Sequence, residues 1–167
     1  PLQFGNSNQN GAYGCPDLDG DGWYDAIDSF INEPSQWADS DGDGFGDNLD
    51  GFNGDYCKDI AGDSTEDRKG CIDSDSDGYS DTDEFWTKYS GGDVFAQDAT
   101  QWSDIDGDGY GDNPGYPLSD DCVEVAGDSS VDRIGCSDFD SDGFSDPTSE
   151  WDLISGADAC PLSLIHI

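Results

Sequence analysis

The chain repeats one short acidic pattern five times, and no other feature restricts its fold so strongly. Each copy has aspartate at positions 1, 3, 5 and 9, glycine at position 6 and an aromatic residue at position 7. The copies, called loops 1 to 5, cover residues 17–25, 39–47, 73–81, 104–112 and 138–146. This spacing of carboxylates and glycine is that of an EF-hand-type calcium loop.

The chemistry of Ca²⁺ explains the spacing. The ion takes six to eight oxygen ligands, and alternate residues of a tightly wound loop point inward, so positions 1, 3 and 5 converge. Glycine at position 6 permits the sharp turn that directs the carbonyl oxygen of position 7 at the ion. Position 9 closes the shell directly or through water. Mg²⁺ fits poorly, because it requires a tight octahedron and resists dehydration.

Position 12, where an EF-hand places a bidentate glutamate, differs between the loops. Loops 1 to 3 have Asp28, Asp50 and Glu84 there, whereas loops 4 and 5 have Gly115 and Ser149 and must find their last ligand elsewhere. We expect at least one Ca²⁺ in each loop. The candidate ligands, with position 7 contributing its backbone oxygen, are Asp17, Asp19, Asp21, Trp23, Asp25 and Asp28; Asp39, Asp41, Asp43, Phe45, Asp47 and Asp50; Asp73, Asp75, Asp77, Tyr79, Asp81 and Glu84; Asp104, Asp106, Asp108, Tyr110 and Asp112; and Asp138, Asp140, Asp142, Phe144 and Asp146.

The net charge makes a cation necessary. The 167 residues include 40 acidic and 5 basic side chains, a formal charge of −35, and only 33% of residues are hydrophobic. Such a chain is disordered unless its charge is neutralised. A solvated acidic tail would not keep glycine and an aromatic residue in register five times. We therefore predict that folding and ion binding are one event.

The same composition excludes several classes of function. The acidity opposes binding to DNA, RNA or anionic membranes, and no apolar run approaches the roughly 20 residues that span a bilayer. With one histidine, His166, zinc binding and histidine-based catalysis are not expected. Enzyme activity is not expected either, because calcium-saturated loops offer no pocket with carboxyl groups of separated pKa.

The loops lie within a tandem repeat of 65 residues. Gln36-Trp37 recurs as Gln101-Trp102, and the motif Gly-Asp-Ser, Asp-Arg, Gly-Cys of residues 62–71 recurs at 127–136. The predicted organisation is a polar N-terminal segment 1–14, a shortened repeat 15–35 with loop 1, full repeats 36–100 and 101–161, and an atypical tail 162–167. The tail is either a read-through artefact of an environmental sequence assembly or an apolar segment that docks into a neighbouring subunit.

The aromatic residues are expected to form small clusters along the chain. If position 7 contributes its backbone oxygen to the ion, its ring is free to shield that ion or a neighbouring loop, together with Trp37, Trp86, Trp102 and Trp151. The alternative is that the rings form one ordinary hydrophobic core, which the low hydrophobic content disfavours.

The six cysteines favour an oxidising, extracellular setting. Cys57 and Cys71, and Cys122 and Cys136, obey the 65-residue repeat, which predicts the disulfides Cys57–Cys71 and Cys122–Cys136. A staggered pairing of consecutive cysteines (15 with 57, 71 with 122, 136 with 160) remains open. Cys15 and Cys160 are unassigned: they pair with each other, have partners beyond the present chain, or join neighbouring subunits head to tail.

Residues 15–161 resemble thrombospondin type 3 repeats, including their bacterial and archaeal relatives. The matching features are the five acidic loops, the Cys-Pro pairs at residues 15–16 and 160–161, and the Gly-Asp-Asn segments at 46–48 and 111–113. The resemblance implies an elongated, irregular fold with few secondary-structure elements, made of tandem calcium-loop repeats stabilised by Ca²⁺ and disulfides. It also implies paired ions, bridged by Asp19, Asp41, Asp75, Asp106 and Asp140. The 14-residue cysteine spacing departs from the animal pattern.

The leading functional prediction is a secreted calcium-binding structural protein, a stalk or a subunit of a self-assembling extracellular filament. Repeat proteins lengthen without redesign, and open repeat ends favour head-to-tail association. The alternative is a calcium-stiffened spacer of a cell-surface adhesion or carbohydrate-binding protein.

Overall fold

The computed structural model describes residues 5–11 and 13–163 and divides the chain into two compact units, Pro1–Ser80 and Asp81–Ile167. Within the described residues, regular structure is limited to a 3-10 turn at Lys88–Ser90 and three isolated parallel bridges, Gly46 with Gly54, Asp81 with Asp93, and Gly111 with Ser119. The predicted irregular fold is confirmed. None of the helical structure described is long and apolar enough to cross a membrane. The end of the tail, 164–167 with His166, lies outside the described residues.

The interior is polar. The buried hydrophobic side chains in the described part of the chain are those of Cys71, Cys136 and Ala157. Fourteen polar or acidic residues are buried, which excludes an ordinary hydrophobic core in this part of the chain. The position-7 rings are half-buried in all five loops. In loop 1 the ring of Trp23 stacks on that of Trp37, with centroids 6.1 Å apart, which is the kind of small cluster that we expected.

A buried glutamine organises the segment after each even-numbered loop. Gln36 is fully buried; its Nε2 donates to the carbonyl oxygens of Asn48 (2.8 Å) and Phe52 (3.0 Å), and its Oε1 accepts from the Asn48 N–H (3.0 Å). Gln101 repeats the clamp on Asn113 after loop 4. The glutamine side chain replaces the backbone partners that a sheet would supply, so a turn without regular structure is held in place.

The odd-numbered loops are instead held by a connecting segment. In loop 3, the N–H groups of Thr65 and Glu66 both donate to the carbonyl oxygen of Gly78 at 2.9 Å. Asn8 and Gln9 do the same to Gly22 in loop 1, and Ser130 and Val131 to Gly143 in loop 5. The polar segment predicted at 1–14 therefore makes, in its described part, the contacts of a repeat connector.

Both predicted disulfides are present, Cys57–Cys71 and Cys122–Cys136, each with a sequence separation of 14. The staggered pairing is therefore wrong, because it would require partners from different connectors. Cys15 and Cys160 are free. The Ser7 hydroxyl accepts the Cys15 N–H (2.9 Å), as Ser64 accepts that of Cys71 (3.1 Å). Cys15 thus occupies the environment of the second cysteine of a pair.

Candidate metal centres

Each acidic loop is wound by its own carboxylates. In loop 2, Asp39 accepts the N–H of Gly42 (2.7 Å) and of Gly44 (3.1 Å), Asp41 accepts that of Asp43 (3.3 Å), and Asp43 accepts that of Phe45 (2.8 Å). The same four bonds recur in the other loops. The sequence therefore prepares the loop locally, before any long-range contact is made.

Two positions in each loop adopt the left-handed backbone conformation. Position 6 is glycine throughout, as at Gly44 (φ 97°). Position 4 is also left-handed, and it is glycine in loops 1, 2 and 4 but serine in loops 3 and 5, at Ser76 (φ 66°) and Ser141 (φ 59°). Sequence reasoning missed the demand at position 4, although a short polar residue that tolerates positive φ was its visible signal.

The structure brings the carboxylates of positions 1, 3 and 5 together in all five loops. One oxygen from each lies within 4.8 Å of the others. At this separation two charges repel by about 3.5 kcal/mol at an effective dielectric constant of about 20, so three pairs contribute about 10 kcal/mol of repulsion per loop. A cation between them would remove this penalty. The five groups are Asp17, Asp19 and Asp21; Asp39, Asp41 and Asp43; Asp73, Asp75 and Asp77; Asp104, Asp106 and Asp108; and Asp138, Asp140 and Asp142.

Buried oxygens without hydrogen-bond partners line these groups. They include the Oδ2 atoms of Asp19 and Asp21 in loop 1, Asp106 in loop 4, and Asp140 and Asp142 in loop 5. A buried carboxylate oxygen without a partner is costly, unless an ion occupies the space it faces. Burial, with neighbouring carboxylates adding to its effect, raises the pKa of Asp21 and Asp106. The donor set, made only of oxygens, fits a hard divalent cation.

Position 9 divides its two oxygens between the loop and the ion space. Asp25, Asp47 and Asp112 each accept the N–H of position 2 of their own loop, at 2.8, 2.9 and 3.1 Å. The other oxygen, Oδ1, of Asp112 is buried without a hydrogen-bond partner, and so is Oδ1 of Asp146 in loop 5. In loops 4 and 5 position 9 therefore has a buried oxygen available to an ion, whereas in loop 2 the second oxygen of Asp47 accepts the Ser40 hydroxyl (2.6 Å).

In four loops a further buried aspartate donates its backbone N–H to the carbonyl oxygen of the residue at position 8. The N–H of Asp28 donates to Tyr24 O (3.2 Å) in loop 1, that of Asp55 to Gly46 O (2.8 Å) in loop 2, that of Asp120 to Gly111 O (2.8 Å) in loop 4, and that of Asp158 to Ser145 O (3.0 Å) in loop 5. All four side chains are buried. We call these four residues the closing aspartates.

The closing aspartate is the residue expected at position 12 in loop 1 but not in loop 2; in loops 4 and 5, whose last ligand was expected elsewhere, Asp120 and Asp158 take this place. Asp28 is the residue predicted at position 12, whereas Asp50, Glu84 and Ser149 are exposed and Gly115 lies in an exposed turn. In loops 2 and 4 the glutamine clamp accommodates extra residues, which moves the closing aspartate from position 12 to position 17. The missed signal was the repeat itself: Asp28, Asp93 and Asp158 are spaced by 65 residues, and so are Asp55 and Asp120.

The remaining predicted ligand of loop 3, Asp81, belongs to the second unit, where it forms a bridge with Asp93. The part of loop 3 in the first unit, through Tyr79, has the same winding as the others. The connector also supports this loop, because Asp67 accepts both the N–H (2.9 Å) and the hydroxyl (2.8 Å) of buried Ser80.

Comparison of the chain with protein-family models finds no match, and comparison with curated proteins finds none.

Proposed function

We propose that the chain is a calcium-binding structural protein whose fold depends on Ca²⁺. The observation that carries the proposal is the convergence of three carboxylates in each acidic loop, together with buried oxygens such as those of Asp19, Asp21 and Asp106 that have no hydrogen-bond partner. A chain of charge −35 with three buried hydrophobic side chains among its described residues gains little stability from hydrophobic burial. Binding free energy from the ions takes the place of hydrophobic burial.

The role is structural rather than catalytic. The acidic groups that would serve as acid and base are engaged by backbone N–H groups and by one another, as Asp39 and Asp43 are in loop 2. The protein is secreted in this proposal, since two disulfides form in oxidising compartments.

Self-association into a filament extends the proposal. Cys160 donates its N–H to Asp158 Oδ1 (2.8 Å), as Cys57 does to Asp55 (2.6 Å). Cys160 therefore has the environment of the first cysteine of a pair, and Cys15 that of the second. Because the two roles are complementary, a Cys160 of one subunit and a Cys15 of the next join the copies head to tail, a contact that generates an open fibre.

The test combines ion counting with microscopy. Calorimetric titration of the dialysed protein should show at least five Ca²⁺ bound, with Mg²⁺ failing to replace them. Electron micrographs should show ordered filaments in calcium that disappear on chelation, and non-reducing mass analysis should find a peptide linking residues 15 and 160 of two chains. Absence of calcium binding would refute the calcium-dependent fold, and fewer than five bound ions would refute an ion in every loop. Short monomers at high protein concentration in calcium would refute the filament.

A further inference from the structure

Loops 2 and 4 differ from loop 1 in what lies against their closing aspartate. After Asp55 the chain enters the connector 57–71, which the Cys57–Cys71 disulfide closes into a ring; after Asp120 it enters the equivalent connector 122–136. After Asp28, the closing aspartate of loop 1, no disulfide follows, because Phe30 stands in the place of the cysteine.

Asp55 is held by the first half-cystine and lies beside the acidic cluster of loop 2. Its Oδ1 accepts the Cys57 N–H at 2.6 Å, and its Oδ2 is buried without a hydrogen-bond partner, in a side chain that is 4% exposed. The Asp55 backbone is tied to loop 2 through Gly46. The free oxygen therefore has a fixed position beside the loop.

The far end of the connector reaches the same carboxylates. The Gly62 N–H donates to Asp43 Oδ2 at 3.0 Å. The equivalent oxygen of loop 1, Asp21 Oδ2, has no hydrogen-bond partner. At Gly70, next to Cys71, an added Cβ would collide with Asp55 Oδ1 and lie 3.3 Å from Asp43 Oδ2. Gly70 therefore packs closely against both carboxylates, which places the closing aspartate Asp55 beside the loop carboxylate Asp43.

The second repeat reproduces each contact. Asp120 accepts the Cys122 N–H at 2.6 Å, is 6% exposed, and has a buried Oδ2 without a hydrogen-bond partner. The Gly127 N–H donates to Asp108 Oδ2 at 2.9 Å, and an added Cβ at Gly135 would again border Asp108 and Asp120. The same contacts therefore occur in both repeats, which argues against chance packing.

We propose that Asp55 and Asp120 are metal ligands that complete the ion sites of loops 2 and 4, and that the disulfide-closed connector holds each of them in place. This inference rests on the proposed calcium-binding function and specifies it further. Each site combines the loop carboxylates with an aspartate eight residues beyond the loop, and breaking the disulfide weakens the site while leaving loop 1 unchanged. Asp50, which occupies position 12 of loop 2, is not a ligand.

The coupling has a physical basis in preorganisation. With the ring closed, the segment that carries the Cys57 and Gly62 N–H groups has fewer conformations in the calcium-free chain, so ion binding has less of the connector to order. With the ring open, ordering it reduces the affinity, as loss of supporting contacts does at other metal sites, on the order of 10- to 100-fold.

The test reads each site separately by nuclear magnetic resonance. The position-6 glycine N–H donates to the first aspartate of its loop, at 3.1 Å for Gly22, Gly44 and Gly109, so its amide resonance reports ion binding to that loop. Calcium is titrated into the ¹⁵N-labelled full chain for the wild type, Asp55→Asn, the matched control Asp50→Asn, and the double variant Cys57→Ser/Cys71→Ser.

Asp55→Asn is expected to raise the calcium concentration needed at Gly44 by at least about 10-fold, with Gly22 unchanged. The double cysteine variant should shift Gly44 in the same direction, and Asp50→Asn should shift neither. An unchanged Gly44 titration in Asp55→Asn, or a shift in Asp50→Asn instead, would overturn the ligand assignment. An unchanged Gly44 in the cysteine variant would overturn the coupling.

The second repeat guards against a variant that simply unfolds. Asp120→Asn should shift Gly109, in the other unit, while Gly22 and Gly44 titrate as in the wild type. If Gly109 also stays unchanged, the assignment is wrong at both sites. If no position-6 glycine responds to calcium in the wild type, the proposed function fails, and this outcome is distinct from failure of the ligand assignment alone.

Discussion

The buried amide of Gln36 offers a sharp test of the polar interior. Replacing Gln36 with Met keeps the length of the side chain but removes its three hydrogen bonds to Asn48 and Phe52. Each such bond contributes about 1 kcal/mol net, so the free energy of unfolding should fall by about 3 kcal/mol. The loss of stability is larger if the Asn48 N–H and carbonyl groups, left without the glutamine, are not hydrogen-bonded by water.

Urea unfolding in excess calcium, followed by the fluorescence of the adjacent Trp37, measures this change as a lower midpoint at constant slope. Gln97→Met, at an exposed glutamine, is the matched control and should leave the midpoint unchanged. Gln101→Met should repeat the effect in the second unit. A loss below about 0.5 kcal/mol in both variants would show that the clamp is incidental and would refute the reasoning.

Two further outcomes follow from the loop backbone and the buried acids. Ser76→Gly should stabilise the protein by about 1 kcal/mol and so raise its urea midpoint in calcium, because the left-handed backbone of Ser76 (φ 66°) is unfavourable for serine. Gly42→Ser, at the equivalent position of loop 2, should lower the midpoint. Unchanged midpoints in both variants would contradict the strain. Burial, with Asp43 and Asp108 adding to it, raises the pKa of Asp55 and Asp120 from 3.8 to about 6. The folded calcium-free chain then binds more protons than the unfolded one, so its stability should fall as the pH rises from about 4 to about 6. Compact structure that survives EDTA dialysis should therefore be greatest near pH 4 and least above about pH 6. Circular dichroism of the dialysed protein across this range checks the sign, and more structure at pH 6 than at pH 4 would contradict it.

The loops could be predicted because their structure is local. Positions 1, 3 and 5 lie within five residues of one another and are wound by backbone bonds such as Gly44 N–H to Asp39, so spacing alone determines their convergence. The disulfides followed from the repeat symmetry. The absence of an ordinary core in the described residues followed from the hydrophobic content.

The closing aspartates could not be read from a fixed spacing. Their place depends on the bridge from Gly46 to Gly54 and on the turn held by Gln36, which together set how much chain separates Asp55 from its loop. Such contacts follow no fixed spacing from the loop, and only the 65-residue recurrence of Asp55 as Asp120 marks them in the sequence. The 3-10 turn at Lys88–Ser90 and the turns at 149–154, where Thr148 accepts the Trp151 N–H and Asp152 accepts that of Ser155, have no periodic pattern in the sequence either.

Removal of calcium tests the central claim most directly. The protein is dialysed exhaustively against EDTA, and its circular dichroism, its tryptophan fluorescence and its resistance to protease are compared with those of the calcium-loaded protein before and after calcium is restored. Removing the ions leaves about 10 kcal/mol of carboxylate repulsion uncompensated in each loop. The account therefore predicts loss of compact structure, rapid proteolysis, and recovery on adding Ca²⁺ but not Mg²⁺. An unchanged spectrum and unchanged protease resistance in EDTA would contradict it.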